Sequence, residues 1–278
     1  DEIGQIVRGS SPRPAGDRTL FHGDHTPWIT VLEVTKDDRV FLTETREFLT
    51  EKGAQQSRRL NKGTVVLSNS GATLGVPKIL NISGCANDGI AAFLQLRNDV
   101  VPLFLYYYLA SLTKVFREQI APGLGQPNLN TDLIGCMDFP CPPFQDQEAI
   151  ARLLYSVDEA IEATRAVIEQ SHQLQTVLLQ HLLTKGVGNK KFQETEFGPI
   201  PKHWRLQTVG ELCEFSSGRG FSHGDWSTHG TPIIRIQNLN GSTDFNYYEG
   251  TPEPNWIVEP GELLFAWAGV KGVSFGPC

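Results

Sequence analysis

The sequence lacks the features that mark several common classes of protein. It has five cysteines (Cys85, Cys136, Cys141, Cys213 and Cys278) among 278 residues and no Cys-x-x-Cys pair, so neither a zinc site nor a redox site is predicted. It contains no apolar run of about 18 residues and no basic-then-apolar secretory signal at the N-terminus. These absences predict a protein of the reducing cytoplasm with no metal, no cofactor and no membrane span.

Motifs of catalysis are missing as well. The chain has no Walker motif, no Asn/Asp-Pro-Pro-Tyr/Phe motif of an amino-methyltransferase and no nuclease-type cluster of carboxylates. The glycine-rich residues 121–130 lack the Lys-Ser/Thr ending of a phosphate-binding loop. Asp37 and Asp38 form an acidic pair, which is predicted to be a surface turn rather than a metal site. A catalytic role is therefore not predicted for this chain.

Positive charge is also in short supply. The chain has 24 Lys and Arg residues against 31 Asp and Glu residues, a formal net charge of -7. Proteins that bind nucleic acid alone are usually basic, because phosphate neutralisation supplies most of the affinity. Any DNA interface must therefore be a local patch, such as Arg58, Arg59 and Lys62, or must share its phosphate contacts with a partner.

The chain does contain a long internal repeat. Ser10, Ser11 and Arg13 return 206 positions later as Ser216, Ser217 and Arg219. The other returns run from 26–29 to 231–234 and from 62–67 to 260–265. This period exceeds that of a solenoid and predicts two diverged copies of a whole domain. The second copy breaks off at Cys278, so we expect the chain to be a truncated form or a fragment of a longer protein.

The pattern of apolar residues predicts an α+β fold in which a long helix and a linker separate two domains. β-rich runs at 28–32, 40–42, 65–67 and 90–94 and a helix at 102–118 indicate a first mixed domain over 1–144. A coiled-coil-type helix is predicted at 145–185, because neither glycine nor proline interrupts it. Residues 186–203 are predicted to be a linker without regular structure, and 204–278 an incomplete second domain.

The long helix carries an apolar stripe with a seven-residue repeat. The stripe comprises Ile150, Leu153, Val157, Ala160, Thr164, Val167, Ser171, Leu174 and Leu178. Such a stripe needs a partner helix of similar length, and this chain offers none. We therefore expect the same stripe on a second chain to cover it, in an antiparallel homodimer.

Three stretches resemble a known family, the specificity (S) subunits of type I restriction-modification systems. Residues 139–151 resemble the family's proline-rich strand and helix start, with either Gln147 and Glu148 or, in the other register, Asp146 and Gln147 in the Glu-Gln position. Residues 196–204 are similar to the segment that introduces a second recognition domain. Residues 26–29 and 62–67, together with their repeats, resemble the family's internal strands.

The resemblance implies a non-catalytic reader of double-stranded DNA. Each target recognition domain would read one half of a split sequence, and the long helix would hold the domains apart and dock the methyltransferase (modification) subunits. A restriction subunit would join through that complex. Two alternatives remain open: a fragment of a fused restriction-methylation enzyme whose catalytic part lies elsewhere, and an interaction module that reads no bases.

Base readout requires polar side chains on loops that can enter a groove. The candidates for DNA contact are Ser10, Ser11, Arg13, Ser68, Asn69, Ser70, Gln126, Asn128, Asn130, Ser216, Ser217 and Arg219. Arg235, Gln237 and Asn238 are secondary candidates in the second copy. The repeated Ser-Ser-x-Arg segment could equally be a structural turn, because serine and proline are good turn formers.

Overall fold

The computed structural model describes residues 3–71, 73–120, 129–266 and 276–277. The chain divides into two compact units, Asp1–Gln180 and His181–Cys278. Each unit is described separately. Across the described residues, no helix is both long enough and apolar enough to cross a membrane.

Two sheets form the centre of the first unit. Its strands are Gln5–Arg8 (β1), Phe21–Ile29 (β2), Phe41–Leu42 (β3), Phe48–Leu49 (β4), Arg58–Leu60 (β5), Val65–Ser68 (β6), Pro77–Leu80 (β7), Gly84–Ala86 (β8) and Ile90–Leu94 (β9). The five-stranded sheet has the order β1-β9-β6-β7-β3, and the four-stranded sheet has the order β4-β2-β8-β5. Two pairs, β3 with β7 and β2 with β8, are parallel, and the other pairs are antiparallel. Sheets together with helices confirm the predicted α+β class.

The first unit has, among its described residues, five short helices and one long helix. They are Val31–Thr35 (α1), Glu51–Gln55 (α2), Pro102–Ser111 (α3), Thr113–Val115 (α4), Thr131–Gly135 (α5) and Phe144–Lys185 (α6). The helix predicted at 102–118 is present as α3 and α4, followed by a π-helical turn at Phe116–Ile120. The strand predicted at 28–32 is wrong beyond Ile29, because the Thr30 side chain accepts a hydrogen bond from the Glu33 amide and starts α1.

The five-stranded sheet has apolar residues on both faces. Val65 and Leu67 of β6 lie in one buried cluster, together with Leu105 and Leu109 of α3. Val66, which points to the opposite face, lies in a second cluster with residues of the other sheet, including Ile29. The alternation along β6 therefore joins helix α3, the first sheet and the second sheet into three packed layers.

Helix α6 is a single element of 42 residues, about 63 Å long at 1.5 Å per residue. It begins one residue before the predicted start and ends at the predicted residue, Lys185. Its apolar stripe is exposed: Leu153 keeps 68 % of its surface, Val167 62 % and Leu174 59 %. The structure thus leaves the stripe uncovered over the described residues, as the sequence pattern predicts for a single chain.

The second unit contains shorter elements. They are Phe192–Thr195 (β10), Gly198–Pro201 (β11), Val209–Leu212 (α7), Thr231–Ile233 (β12), Ile236–Leu239 (α8), Asn246–Tyr248 (β13), Phe265–Ala266 (β14) and Gly276–Pro277 (β15). Strands β10 and β11 form a hairpin, so the expectation that 186–203 lacks regular structure is wrong. The hairpin closes because Gly198 adopts a positive φ of 93° and its carbonyl accepts a hydrogen bond from the Thr195 hydroxyl.

The repeat is reproduced only in part by the local structure. Residues 26–29 lie in β2, and their counterparts at 231–233 form β12. By contrast, residues 5–7 belong to β1, whereas the matching Glu211 and Leu212 belong to helix α7. In the second unit the Glu211 side chain accepts a hydrogen bond from the Thr208 amide, a cap that stabilises the helical turn.

Candidate DNA interface

Strand pairing brings separate candidate segments to one end of the first unit. Strands β1 and β6 both run antiparallel to β9, so their C-terminal ends lie beside its beginning: Arg8 is opposite Ala91, and Ser68 is opposite Ile90. The segment after β1, the segment after β6 and the loop before β9 therefore meet. We call this last loop, residues 87–89, the hub loop.

The segment after β1 contacts the hub loop through Asp88. The Ser11 hydroxyl donates to Asp88 Oδ1 at 2.7 Å, and an Arg13 guanidinium nitrogen lies 3.4 Å from Asp88 Oδ2. The Arg8 side chain donates to the Asp88 carbonyl oxygen. Ser10 is fixed by its backbone, since its amide donates to the Ala86 carbonyl at 2.8 Å. Ser10, Ser11 and Arg13 thus lie at the hub loop, where the Asp88 carboxylate contacts Ser11 and Arg13 and the Asp88 backbone carbonyl contacts Arg8.

The charge of Asp88 is stabilised by these neighbours. The hydrogen bond from Ser11 is the main cause that lowers the pKa of Asp88, with help from Arg8 and Arg13 and against the opposing effect of burial. Asp88 is therefore ionised at neutral pH and attracts Arg13, whose side chain remains 71 % exposed. An exposed guanidinium held by a single long contact can be transferred to a phosphate or a base edge at little cost.

The segment after β6 contacts the same loop through its backbone. The Asn69 amide donates to the Gly89 carbonyl at 2.9 Å, and the Asn69 carbonyl accepts from the Leu129 amide at 2.8 Å. A Cβ atom at Gly89 would come within 2.8 Å of the Ser70 hydroxyl and 2.6 Å of a Val31 methyl group. The hub loop therefore packs closely against Ser70, and a side chain at position 89 would require the Val31 and Ser70 side chains to shift.

Two residues of that segment, Ser68 and Asn69, are buried, although the sequence suggested that they would be exposed. Ser68 is fully buried, and its hydroxyl donates to the Thr73 carbonyl and accepts from the Val76 amide. Because this hydroxyl closes a turn inside the domain, Ser68 is not placed to read a base. Asn69 is also buried, and its side-chain oxygen has no hydrogen-bond partner within the described residues. Ser70 alone of the three is partly exposed.

The glycine-rich segment is described only at its end. Gln126 and Asn128 lie outside the described residues. Asn130 follows Leu129 and is therefore near Asn69, but its side chain caps helix α5 by accepting from the Leu133 amide at 2.7 Å. This cap uses the Asn130 side-chain oxygen, so the side-chain amide nitrogen of this exposed residue can still donate to a ligand.

A basic edge lies beside the segment after β1. The Ser57 hydroxyl donates to the Ser10 carbonyl at 2.5 Å, and the Arg13 amide donates to the Gln56 side chain at 3.3 Å. Strand β5 follows at once with Arg58 and Arg59, both exposed, on the edge of the four-stranded sheet. Neither arginine forms an ion pair with any described residue. The patch expected from the sequence is thus continuous with the candidate loop.

In the second unit, the repeated arginine has a different environment. Ser216 and Ser217 are exposed, but the Arg219 guanidinium lies 4.3 Å from the Trp256 ring centroid and 5.0 Å from that of Phe221. It also pairs with Asp225 at 3.3 Å. Aromatic stacking of this kind holds a guanidinium in one orientation. Arg219 therefore resembles Arg13 in having an aspartate partner but is far less free to move.

The secondary candidates of this unit are also engaged. Arg235 stacks 4.3 Å from the Trp226 centroid and donates to the Asn246 side chain at 2.7 Å. Asn238 accepts from the Arg235 amide and donates to two backbone carbonyls. Gln237 is exposed.

Sequence reasoning missed Arg8 and the hub loop. Asn87-Asp88-Gly89 is a turn sequence between two apolar runs, and that signal predicts a loop but not its neighbours. Only the pairing of β9 with both β1 and β6 shows that these three residues lie between the segments that follow β1 and β6.

The attachment of helix α6 to the first unit centres on Gln147. This residue is fully buried; its side-chain oxygen accepts from the Val101 amide at 2.9 Å. Its side-chain nitrogen donates to the carbonyls of Asp99 and Pro142, both at 2.8 Å. Gln147 thus ties the first turn of α6 to the segment that leads into α3.

The chain is similar to known proteins over much of its length. A family model described as "Type I restriction modification DNA specificity domain" matches residues 1–170. The MjaVIII specificity subunit of a type I restriction enzyme from Methanocaldococcus jannaschii is 24 % identical over 181 residues, which are 62 % of this chain and 43 % of that protein. The MjaIX specificity subunit of the same organism is 24 % identical over 250 residues, 86 % of this chain and 56 % of that protein. The chain spans about half the length of the curated relatives it matches.

Two solved structures are similar to part of the chain. The HsdS subunit from Thermoanaerobacter tengcongensis matches with a TM-score of 0.46 and 20 % identity, covering 64 % of this chain and 42 % of that one. The S subunit of the type I restriction-modification system from M. genitalium matches with a TM-score of 0.44 and 17 % identity, covering 66 % and 44 %. Since the family model covers more than half of the residues, the chain belongs to the family of type I restriction-modification DNA specificity domains.

Proposed function

We propose that this chain is the DNA-recognition subunit of a type I restriction-modification complex and performs no catalysis itself. The observation that carries the proposal is the meeting of the segments after β1 and β6 at the hub loop, beside the exposed arginines of β5. This arrangement supplies a local positive patch with adjoining polar side chains on a chain whose net charge is -7. The relatives named as specificity subunits support the same reading.

In this proposal the two kinds of residue divide the work. Arg58, Arg59 and Lys62 contact phosphates, which position the domain without reading sequence. Arg13, Ser11 and Ser70 approach base edges, where an arginine can donate to both acceptors of a guanine. The second unit reads the other half of a split target through Ser216, Ser217 and Arg219. Gln126, Asn128 and Asn130 complete the first reading surface.

Helix α6 serves as the spacer and as the docking site for methyltransferase subunits, through which a restriction subunit joins the complex. The length of the helix, about 63 Å, supports the spacer role. A fused restriction-methylation enzyme is not favoured, because the relatives are named as separate specificity subunits.

The experiment is to map methylated sites in the source cell and to use the inferred sequence as a labelled duplex. Fluorescence anisotropy then measures how tightly this chain, in complex with its methyltransferase subunit, binds the labelled duplex at a fixed salt concentration. We expect at least 10-fold tighter binding to the mapped duplex than to one with a scrambled half-site. Equal affinity for both duplexes at every salt concentration would refute the proposal.

A matched pair of variants tests the hub-loop segment itself. Arg13→Ala should weaken binding to the mapped duplex by 10-fold or more, since a bidentate base contact contributes about 1–3 kcal/mol. Arg18→Ala removes another exposed charge, five residues away in the sequence, and should have a much smaller effect. If both variants behave alike, Arg13 acts only through its charge.

We further propose that the exposed stripe of α6 pairs with a second copy in an antiparallel dimer. Leu174→Glu should convert the dimer to a monomer in light scattering at tens of micromolar, because it places a charge in the apolar seam. His172→Glu, on another face of the same turn, should leave the dimer intact. A monomeric parent protein at that concentration would exclude the dimer.

A further inference from the structure

Helix α6 packs against the preceding part of the first unit, residues 3–143, through a face that is separate from its apolar stripe. The contacting residues are Gln147, Ala151, Tyr155, Asp158, Glu162 and Arg165, spaced three or four apart. Ala151 is buried, the Tyr155 ring meets the Phe41 ring edge-on at 5.7 Å, and Asp158 accepts from the Tyr107 hydroxyl at 2.6 Å. Side chains 163–183 are all exposed, so this docked face ends near Arg165.

The far end of the docked face is a network of four charges. Arg165 donates to both carboxylate oxygens of Asp38, at 2.6 and 2.7 Å, and to Glu162 at 3.1 Å. Glu162 in turn accepts from Arg39 at 3.0 Å. Since Asp38 and Arg39 are neighbours in the chain, the four residues close a ring of alternating charge between one turn of the domain and one turn of the helix.

The turn that carries Asp38 and Arg39 is anchored from inside the domain. Lys78 of β7 is 1 % exposed, and its ammonium group donates to the Asp37 carboxylate at 2.6 Å and to the Asp37 carbonyl at 3.0 Å. Its third donor contacts the Arg39 carbonyl. All three protons of the buried Lys78 ammonium thus hold this turn, and full burial is unusual for a lysine.

Isolated exposed ion pairs contribute little to stability, so the main effect of this network is expected on the direction of the helix rather than on the free energy of unfolding. Gln147 and Arg165 are 18 residues apart, about 27 Å along the helix. Two contacts at that separation fix a direction as well as a position. A slip of about 2 Å at Arg165 would move His172, about 38 Å from Gln147, by roughly 3 Å.

We infer that Lys78, Asp38, Arg39, Glu162 and Arg165 form a positioning clamp that sets the direction of the spacer helix relative to the first recognition domain. Resting on the proposed function, the clamp determines the separation of the two half-sites that the assembled complex can engage. Its members are positioning residues and do not contact bases.

The test measures direction without DNA. Spin labels carried by noncanonical amino acids at the exposed positions Gln55 and His172 report the distance between domain and helix by pulsed electron resonance. Dilution with unlabelled chain removes distances between copies. The full chain should give one narrow distribution, and Arg165→Ala should widen or shift it by about 3 Å or more.

Three further variants make the result specific. Lys78→Met should have the same effect as Arg165→Ala, although Lys78 lies in β7 and does not belong to the helix, because it releases the turn that carries Asp38 and Arg39. Arg152→Ala removes an ion pair within α6, that with Glu148, and should leave the distribution unchanged. Asp38→Asn removes the carboxylate that both Arg165 nitrogens contact while keeping the size of the side chain, and it should widen the distribution as Arg165→Ala does. An unchanged distribution in a folded Arg165→Ala chain would overturn the clamp.

The DNA reader and the clamp can fail separately. With mapped duplexes whose half-sites differ in separation, loss of the clamp should let the complex bind neighbouring separations within 10-fold of the best. Absence of any sequence preference in the parent complex would refute the proposed function, while the distance measurement would still judge the clamp. A strong preference with an unchanged separation profile in Arg165→Ala would refute the clamp alone.

Discussion

Replacing Gln147 by methionine tests how the spacer helix is attached. Methionine has a similar size, so the change removes three hydrogen bonds while keeping the packing. At about 1 kcal/mol for each bond, the free energy of unfolding of the first unit should fall by about 3 kcal/mol. A matched control is Gln145→Met in the same helical turn, where the side chain is exposed and the change should stay within about 0.5 kcal/mol.

The assay must follow the first unit alone. Trp28 is the only tryptophan in residues 1–180 and is buried, so the fluorine resonance of 5-fluorotryptophan at this position reports unfolding of that unit. With a urea dependence of about 2 kcal/mol per molar, the midpoint should fall by roughly 1.5 M. A midpoint for Gln147→Met within 0.3 M of that for Gln145→Met would show that the buried amide does not hold the helix, and the reasoning would be wrong.

Three other predictions concern charge and titration. Asp88→Asn should steepen the salt dependence of DNA binding by about one unit, since it removes the carboxylate that pairs with Arg13, whereas Asp24→Asn makes the same charge change and should alter it less. Arg58→Ala and Arg59→Ala should each reduce that slope by about one unit on every duplex, measured by anisotropy across salt concentrations. Burial raises the pKa of Tyr106 to about 12 from its usual 10, so the neutral phenol is favoured in the folded state and stability should be lost as pH rises from 10 to 12. Tyr106→Phe should therefore lose less of its urea midpoint between pH 9 and pH 11.5 than the parent, and an equal loss would contradict the assignment.

Local patterns in the sequence were sufficient to predict the long helix. Helix α6 could be predicted within one residue at its start, because its boundaries depend on proline and glycine, which act locally. The face that docks could not be predicted. Apolar periodicity marks the exposed stripe, whereas the domain binds through Tyr155, Glu162 and Arg165, whose partners lie more than 100 residues away in the chain.

The candidate site could be predicted in part for a similar reason. Residue type and repetition singled out Ser10, Ser11 and Arg13, and the structure places them in one loop, where Ser11 and Arg13 share the partner Asp88. The same criteria selected Ser68, but a serine that ends a strand can satisfy its hydroxyl in the following turn, and burial then removes it from the surface. Asp88 was not selected because its neighbours come from strand pairing.

The extent of the docked face bears on how this protein could be re-engineered. The mixed domain would be cut at residue 144 on sequence grounds, yet its contacts with α6 continue to Arg165. A graft that stops at 144 would leave Phe41, Tyr107 and Asp38 facing side chains for which they were not selected. The segment to transfer is therefore the domain together with helix α6 through Arg165. A junction in the exposed turns of α6 beyond Arg165 would replace one recognition domain with another and keep the contacts between domain and helix.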